Sequence, residues 1–335
     1  MIRLPPVVST FARLLVFLLC AGCTALPTFG PGPPLAAALS QSDTVFTLSD
    51  GASTPVRQWL PPTPPRAVVL ALHGFNDSRD AWALPGPVFA AAGIALYAPD
   101  QRGFGGGPNR GFWPGGDTLA ADAAAMLAGL RARHPGIPLY AMGESMAGAV
   151  LMTLAAGPAP PPVDGWILLS PAVWGRQQQG VVLSNGLWLV SSVTPGLMVT
   201  GGEVVLRVTP SDNRAALLAL ARNPLTIRRT RFDTLRGLTD LMDDAQAAAP
   251  KLPPRTLVLY GDRDTIVPGP AVSRAWRAMP GHVRRALYPN GYHLLLRDLG
   301  RAAPTADVIA WIGAQDGWLP SGADMAAAGW QAVGR

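Results

Sequence analysis

Gly143-Glu144-Ser145-Met146-Ala147-Gly148 is the segment of this 335-residue chain best suited to chemistry. It lies between an apolar strand pattern (Ile137 to Met142) and a small-residue helix pattern (Ala147 to Ala156). A serine squeezed into a strand-to-helix turn presents its hydroxyl over the end of the sheet, and such a turn leaves little room two residues before and two after it. Gly143 and Ala147 supply the small side chains, so the segment reads as a G-x-S-x-G nucleophile elbow with its last glycine replaced by alanine. A serine hydroxyl is a poor nucleophile at its own pKa. It needs an adjacent base, and a third group to orient that base.

The chain has four histidines from which to draw the base. His134 lies in Arg131-Ala-Arg-His-Pro135, a polar helix end expected to face solvent, and His282 follows Pro280-Gly281 as a turn residue. His73 closes the strand Ala67-Val-Val-Leu-Ala-Leu-His73 and reads as a structural anchor of the turn there. His293 ends Ala286-Leu-Tyr-Pro-Asn-Gly-Tyr-His293, a strand and turn placed after the elbow, and is the expected base. With a chain order of serine, acid, histidine, the acid should close a strand between them. Thr256-Leu-Val-Leu-Tyr260 is such a strand, followed by Gly261-Asp-Arg-Asp264. Carboxylates at the C-terminal ends of parallel strands point into one crevice. Asp264 is favoured as the orienter and Asp262 comes second, because Gly-Asp at a strand end commonly caps a turn. A tetrahedral oxyanion needs two preorganised N–H donors. Met146 offers one, and Phe75, after the His73-Gly74 turn, offers the other.

The segments LHGFNDSRDAW, APDQRGFG, GESMAG and YGDRDTIVP…GYH, in this order, resemble the α/β-hydrolase superfamily. Within it they are most similar to the monoacylglycerol lipase and lysophospholipase group, over roughly Phe46 to Gly313. The resemblance places nucleophile, acid and base on Ser145, Asp264 and His293, and the oxyanion donors on Phe75 and Met146. It implies no metal and no cofactor. Two departures stand out, since the group's elbow reads G-H-S-M-G-G: Glu144 stands where a histidine is usual, and Ala147 where a glycine is.

The elements that must position these residues alternate along the chain as strands and helices, which predicts a mostly parallel sheet covered on both faces, an α/β fold. An opening hairpin is expected from Val45-Phe-Thr-Leu48 and Val56-Arg-Gln-Trp-Leu60 around Ser49-Asp-Gly-Ala52. Strands are expected at 67–73, 94–98, 138–142, 165–170, 256–260 and 284–288. Helices are expected at about 80–92, 118–133, 146–156, 270–278 and 305–313, with Asp117-Thr118 as the N-cap for the second. Asp100 and Arg102, after the strand ending at Tyr97, are read as a polar turn tied by charge-assisted hydrogen bonds rather than as catalytic groups.

The rhythm breaks over 174–250, which is read as a cap inserted between a first core part (44–173) and a second (251–313). Its first half holds Val181-Val-Leu-Ser-Asn-Gly-Leu-Trp-Leu-Val190 and Pro195-Gly-Leu-Met-Val199, too interrupted for a membrane span. Leu187, Trp188, Leu189 and Met198 are the residues expected to line an acyl-chain tunnel. Its second half carries Arg222, Arg228, Arg229, Arg231 and Arg236, read as a solvated face with Asp233, Asp240, Asp243 and Asp244 as partners. Residues 314–335 are expected to form a loose tail.

The net charge of +6 is carried almost wholly by arginine, Lys251 being the only lysine. No basic run is interleaved with aromatics and no Cys/His pattern has zinc spacing, so nucleic-acid binding is not expected. Arg3 and Arg13 precede the apolar stretch Leu14 to Gly22, which is shorter than the ~20 residues a bilayer requires but suits a signal peptide, 1–22. Leu19-Cys-Ala-Gly-Cys23 resembles a bacterial lipobox, with lipid attachment at Cys23 and residues 23–43 as a flexible tether. The expectation is an exported, membrane-anchored lipoprotein of the bacterial cell envelope, outer membrane included. Together these readings predict a serine hydrolase that cleaves esters of single-chain lipids, monoacylglycerols or lysophospholipids. Its alternatives are a short-chain carboxylesterase, thioesterase or peptidase of the same fold, and a non-catalytic lipoprotein scaffold or binding module.

Overall fold

The computed structural model describes residues 43–200 and 208–332. The expected signal peptide, the Cys23 attachment site and nearly all of the tether lie outside the described residues. Among the described residues eight strands form one sheet, in the order β1-β2-β4-β3-β5-β6-β9-β10. β1 (Asp43–Thr47) and β2 (Ser53–Trp59) are the predicted antiparallel hairpin, and β2 pairs antiparallel with β4 (Ile94–Pro99). β3 (Ala67–Leu72), β5 (Leu139–Glu144), β6 (Gly165–Leu169), β9 (Thr256–Gly261) and β10 (Arg284–Tyr288) complete it in parallel with β4. The central strands are buried along their whole length, as unbroken apolar runs in a parallel sheet should be. The observed strands of this sheet start and stop within two residues of the predicted ones, except β2, which begins three residues earlier, at Ser53.

Chain direction across the sheet reverses between β3 and β5, since β4 lies on one side of β3 and β5 on the other. In open parallel sheets the crevice at such a switch point, beyond the carboxyl ends of the strands, is where ligands bind. The His73 turn and the Ser145 elbow both open there.

Helices cover both faces. α1 (Gly86–Ala91) follows a short 3₁₀ turn (Arg79–Trp82), so the single helix predicted over 80–92 is broken, with Pro85 at the break. α2 (Gly116–Arg133) starts earlier than expected: Gly115, at φ 97°, is its N-cap. Asp117 lies in the first helical turn, where its charge meets the positive end of the helix dipole, and it does not cap with its side chain. α3 (Met146–Ala155) is almost entirely buried against the sheet.

The insertion between β6 and β9 contains α4 (Arg176–Gln179), α5 (Val181–Val193), α6 (Arg214–Arg222) and a small antiparallel ladder of β7 (Met198–Thr200) with β8 (Arg229–Arg231). It ends in α7 (Phe232–Ala248), which packs on α3. Of the expected charge partners, Asp233 takes Arg231, but Asp240 and Asp243 both take Arg176 from the start of the insertion.

After α8 (Gly269–Ala278) and α9 (Ala302–Gly313), the tail does not hang loose. Its helix α10 (Ala323–Ala332) lies along β10, with Trp330 edge-on to Trp276 at 5.1 Å and Asp324 paired to Arg284 at 2.8 Å. Buried apolar surface holds it where sequence periodicity gave no sign of an apolar face. Among the described residues no helix is long and apolar enough to cross a membrane.

Candidate active site

Ser145 follows β5 directly and precedes the first residue of α3, at φ 55° and ψ −114°. An L-residue there is strained, and the surroundings impose the strain. The Ser145 N–H donates to the Leu169 carbonyl at 2.8 Å, and its own carbonyl accepts from Ala149 and Ala172. Gly143 has no space for a side chain: a Cβ there would lie 2.6 Å from the Ala147 carbonyl group. Ala147 itself is fully buried and accommodated. The glycine this elbow needs on the far side is Gly148, whose Cβ would meet Pro171 at 2.9 Å.

Asp264 and His293 are brought together. His293 Nδ1 lies 2.7 Å from Asp264 Oδ2, and both residues are buried. With the proton on Nδ1, Nε2 is left free to accept another. The other Asp264 oxygen accepts the N–H groups of Ile266 (2.8 Å) and Val267 (3.0 Å), so the carboxylate is fixed from both ends. Asp262 is exposed and accepts from the Asn290 N–H at 2.6 Å, a turn contact as its sequence context suggested. Burial alone would push the His293 imidazolium down, but Asp264 and then Glu144 outweigh it and hold its pKa above the ordinary 6.5.

The turn after β3 closes on the elbow. A Cβ at Gly74 would sit 3.4 Å from the Ser145 Cβ, at van der Waals contact, so the turn and the elbow lie directly against each other. Phe75 follows, its ring edge-on to Phe104 at 5.5 Å. Met146, as the first residue of α3, has an N–H with no acceptor inside its helix. His73 is the expected anchor: Nδ1–H donates to the Gly74 carbonyl at 2.8 Å, and Nε2 accepts the Gln101 N–H at 3.0 Å. Asp100 is fully buried, bonded by Arg79 and by the Gly106 N–H at 2.6 Å, and Arg102 bridges Asp122 and Asp50. Both are structural, as read. His134 is less free than expected, with Nε2 2.9 Å from the Tyr97 hydroxyl.

The cap residues Trp188, Leu189 and Met198 are exposed, at 53%, 56% and 41%, and Leu187 is half-buried. They face water rather than a closed tunnel.

Sequence reasoning missed a set of charges around His293. Arg297, four residues after His293, bonds Glu144 and, at 2.7 Å, Asp77. Asp298 accepts from the Ser211 hydroxyl (2.6 Å) and the Tyr292 N–H (2.8 Å), which ties the base loop to the cap. The one signal for them was a charged pair, Arg297-Asp298, following the apolar run after His293.

A strained serine at the switch point, with a carboxylate-held histidine in the loop after β10 at the same end of the sheet, defines the α/β-hydrolase class. Residues 63–300 match the Hydrolase_4 family, described as serine aminopeptidase S33, and the chain belongs to that family. It is 26% identical over 268 residues to the monoacylglycerol lipase of Mycolicibacterium smegmatis, covering 76% of this chain and 90% of that protein. It is 22% identical over 256 residues to the monoglyceride lipase of Homo sapiens, covering 75% and 83%. Among solved structures, the Paleococcus ferrophilus monoacylglycerol lipase superposes with a TM-score of 0.65 at 19% identity, over 77% of this chain and 98% of that one. A soluble variant of the Saccharomyces cerevisiae monoglyceride lipase, in complex with a substrate analogue, gives 0.66 at 18% identity, over 87% and 96%. At these identities the structures bear on fold. The chain is a monoacylglycerol lipase-like α/β-hydrolase.

Proposed function

We propose that the protein is a serine hydrolase that cleaves carboxylic esters of single-chain lipids through an acyl-enzyme. The observation that carries this reading is the Asp264–His293 pair at 2.7 Å, at the same end of the sheet as a serine held at φ 55°. Ser145 Oγ attacks the ester carbonyl while His293 Nε2 takes its proton. Asp264 holds the imidazole tautomer and stabilises the imidazolium that forms. The N–H groups of Phe75 and Met146 receive the oxyanion. His293 then protonates the leaving alcohol, activates a water for deacylation, and returns the proton to Ser145.

The substrate class rests on the monoacylglycerol and monoglyceride lipases among the relatives and on the apolar cap helix. The family's description as an aminopeptidase favours one competing reading, a peptidase or short-chain esterase with the same catalytic groups. The test is fluorophosphonate labelling of purified protein, followed by hydrolysis of monoacylglycerols, lysophospholipids, short esters and aminoacyl anilides. Ser145→Ala should abolish labelling and lower ester turnover by about 10⁴–10⁶-fold. Labelling that survives in this variant removes Ser145 as nucleophile, and a wild type that never labels supports the non-catalytic scaffold instead. Preference for anilides or acetyl esters would move the substrate class while leaving the chemistry.

We also place the protein at a bacterial membrane through a lipid on Cys23, on the lipobox-like Leu19-Cys-Ala-Gly-Cys23. Cys23→Ser should lose incorporation of a fatty-acid analogue and leave the membrane fraction. Equal incorporation in wild type and variant would exclude that attachment.

A further inference from the structure

Glu144 is one of the two residues at which this chain departs from its group's elbow, and the structure gives this substitution a partner. The Glu144 side chain is 3% exposed, and its Oε2 is bonded by the Arg297 guanidinium. The other terminal nitrogen of Arg297 donates to Asp77 Oδ2 at 2.7 Å, while Asp77 Oδ1 accepts the Ser78 N–H at 2.8 Å. Arg297 is itself positioned: its N–H donates to the Leu294 carbonyl of its own loop at 2.7 Å, and its carbonyl accepts from Asn213 of the insertion at 2.8 Å. All three charged side chains are buried.

The three residues belong to three different parts of the candidate site. Asp77 lies in the turn that carries Phe75, Glu144 precedes Ser145 in the chain, and Arg297 lies in the loop that carries His293. The approach is close, since a Cβ at Gly74 would stand 3.4 Å from the Ser145 Cβ and 3.9 Å from Glu144 Oε2. One guanidinium, from the loop that carries His293, therefore bonds both the turn that carries Phe75 and the residue before Ser145. Stability alone gives little reason to bury such a set, because replacing buried ion pairs by apolar residues of similar volume is often neutral or stabilising. The charges also fail to cancel, as two carboxylates face one guanidinium.

We propose that Glu144, Arg297 and Asp77 form a buried positioning cluster, in which Arg297 sets the spacing of the three catalytic loops and the surplus negative charge of Glu144 stabilises the imidazolium that His293 becomes during turnover. The proposal rests on the reading of Ser145 and His293 as nucleophile and base. Asp264 contacts the His293 ring at 2.7 Å, and the charges of Glu144 and Arg297, with Asp298 from its own loop, act on it through space. Glu144 favours the charged imidazole and Arg297 opposes it. Burial, helped by the Asp77 charge, holds the Glu144 carboxyl above its ordinary range, and the Arg297 charge offsets this only in part.

The two roles separate by experiment. kcat and KM for a soluble 4-nitrophenyl ester are measured against pH for wild type, Glu144→Gln, Glu144→Asp and Arg297→Lys, with thermal melts and fluorophosphonate labelling of each. Glu144→Gln keeps shape and removes the charge. Its acid limb in kcat/KM should move to lower pH by about one unit, with plateau kcat reduced about tenfold. Arg297→Lys keeps the charge and loses the planar fork that reaches both carboxylates. It should lower kcat about tenfold or more with the acid limb unmoved, a misplacement effect. Glu144→Asp should behave like Arg297→Lys, and these two carry the test if Glu144→Gln does not fold.

A Glu144→Gln enzyme that melts earlier but keeps the wild-type acid limb overturns the electrostatic role. Arg297→Lys and Glu144→Asp enzymes with full kcat overturn the positioning role. Absence of labelling in the wild type, or retained turnover in Ser145→Ala, fails the underlying reading instead and is recognised without any of the cluster variants.

Discussion

Asp262 and Asp264 stand two residues apart in one turn and differ in what their carboxylates touch. Asp264 is closed between two backbone N–H groups and the His293 ring, whereas Asp262 caps the neighbouring Asn290 turn in water. Asp264→Asn should leave His293 in the wrong tautomer and cost about 10⁴-fold in kcat, with Asp262→Asn near wild type. Steady-state kinetics on the two purified variants decide it, and reversed penalties would refute the assignment. The pH profile follows from the same contacts. Because Asp264 and Glu144 hold the His293 pKa above 6.5 despite burial, the imidazolium persists to higher pH and the base becomes available only above it. The acid limb of kcat/KM should therefore be centred above pH 6.5, and a limb centred lower would contradict this arrangement. Ser145, Asp264 and His293 were legible in the sequence because each directly follows a strand or the turn after one, with an order along the chain that the fold prescribes. Arg297 was not, since its partners lie 153 and 220 residues away, and only the folded sheet brings them into contact.

Elements were legible where burial writes itself into composition. Six-residue apolar runs such as Ala67–Leu72 and Ile94–Pro99 have no other stable place than the middle of a covered sheet. Helices were harder, because small residues can bury a face without an apolar period. α7 buries Thr234, Gly237, Leu241, Ala245 and Ala248, one helical face of mostly small side chains, and Gly237 lies directly under the Trp113 ring. α10 repeats the case with Ala323 and Ala327. Two glycines give opposite predictions at this scale. Gly143→Ala forces a Cβ against the backbone of Ala147 and Gly148, at 2.6 to 2.8 Å, where nothing can swing aside. It should destabilise the protein by about 1–3 kcal/mol and reduce labelling of Ser145 by displacing the elbow. Gly129, exposed in the interior of α2 with open space around its Cβ position, should do the reverse. Gly129→Ala should raise stability by about 0.5–1 kcal/mol, with activity unchanged. Denaturant titrations of both variants check the pair, and a stable, fully active Gly143→Ala enzyme would mean that the elbow is less constrained than its contacts require.

Across the whole molecule, the insertion is joined to the candidate site rather than resting on it. The Thr209 N–H donates to Thr265 beside Asp264, the Ser211 hydroxyl and Asp212 engage the loop after His293, and Ile227 donates to the Asn76 carbonyl in the turn that carries Phe75. Its other face is α5, where Val181, Val182, Trp188, Leu189 and Val193 all stand in water. That exposure bears on the substrate. Surface already packed on the core gains nothing from a ligand, whereas apolar surface still in water gains about 0.8 kcal/mol for each methylene buried against it. If α5 and Met198 receive an acyl chain, kcat/KM should rise roughly fourfold per added carbon until the available surface is covered. Trp188→Ala should then flatten that rise more than it lowers turnover of an acetyl ester, because the short ester never reaches the ring. The measurement is a series of monomeric esters of graded chain length, below their aggregation limits, on wild type and variant. Wild-type activity that peaks on acetyl or propionyl esters and falls with length would reject the single-chain lipid substrate. The catalytic groups would then serve short esters, and the exposed apolar face of α5 would have no part in recognising them.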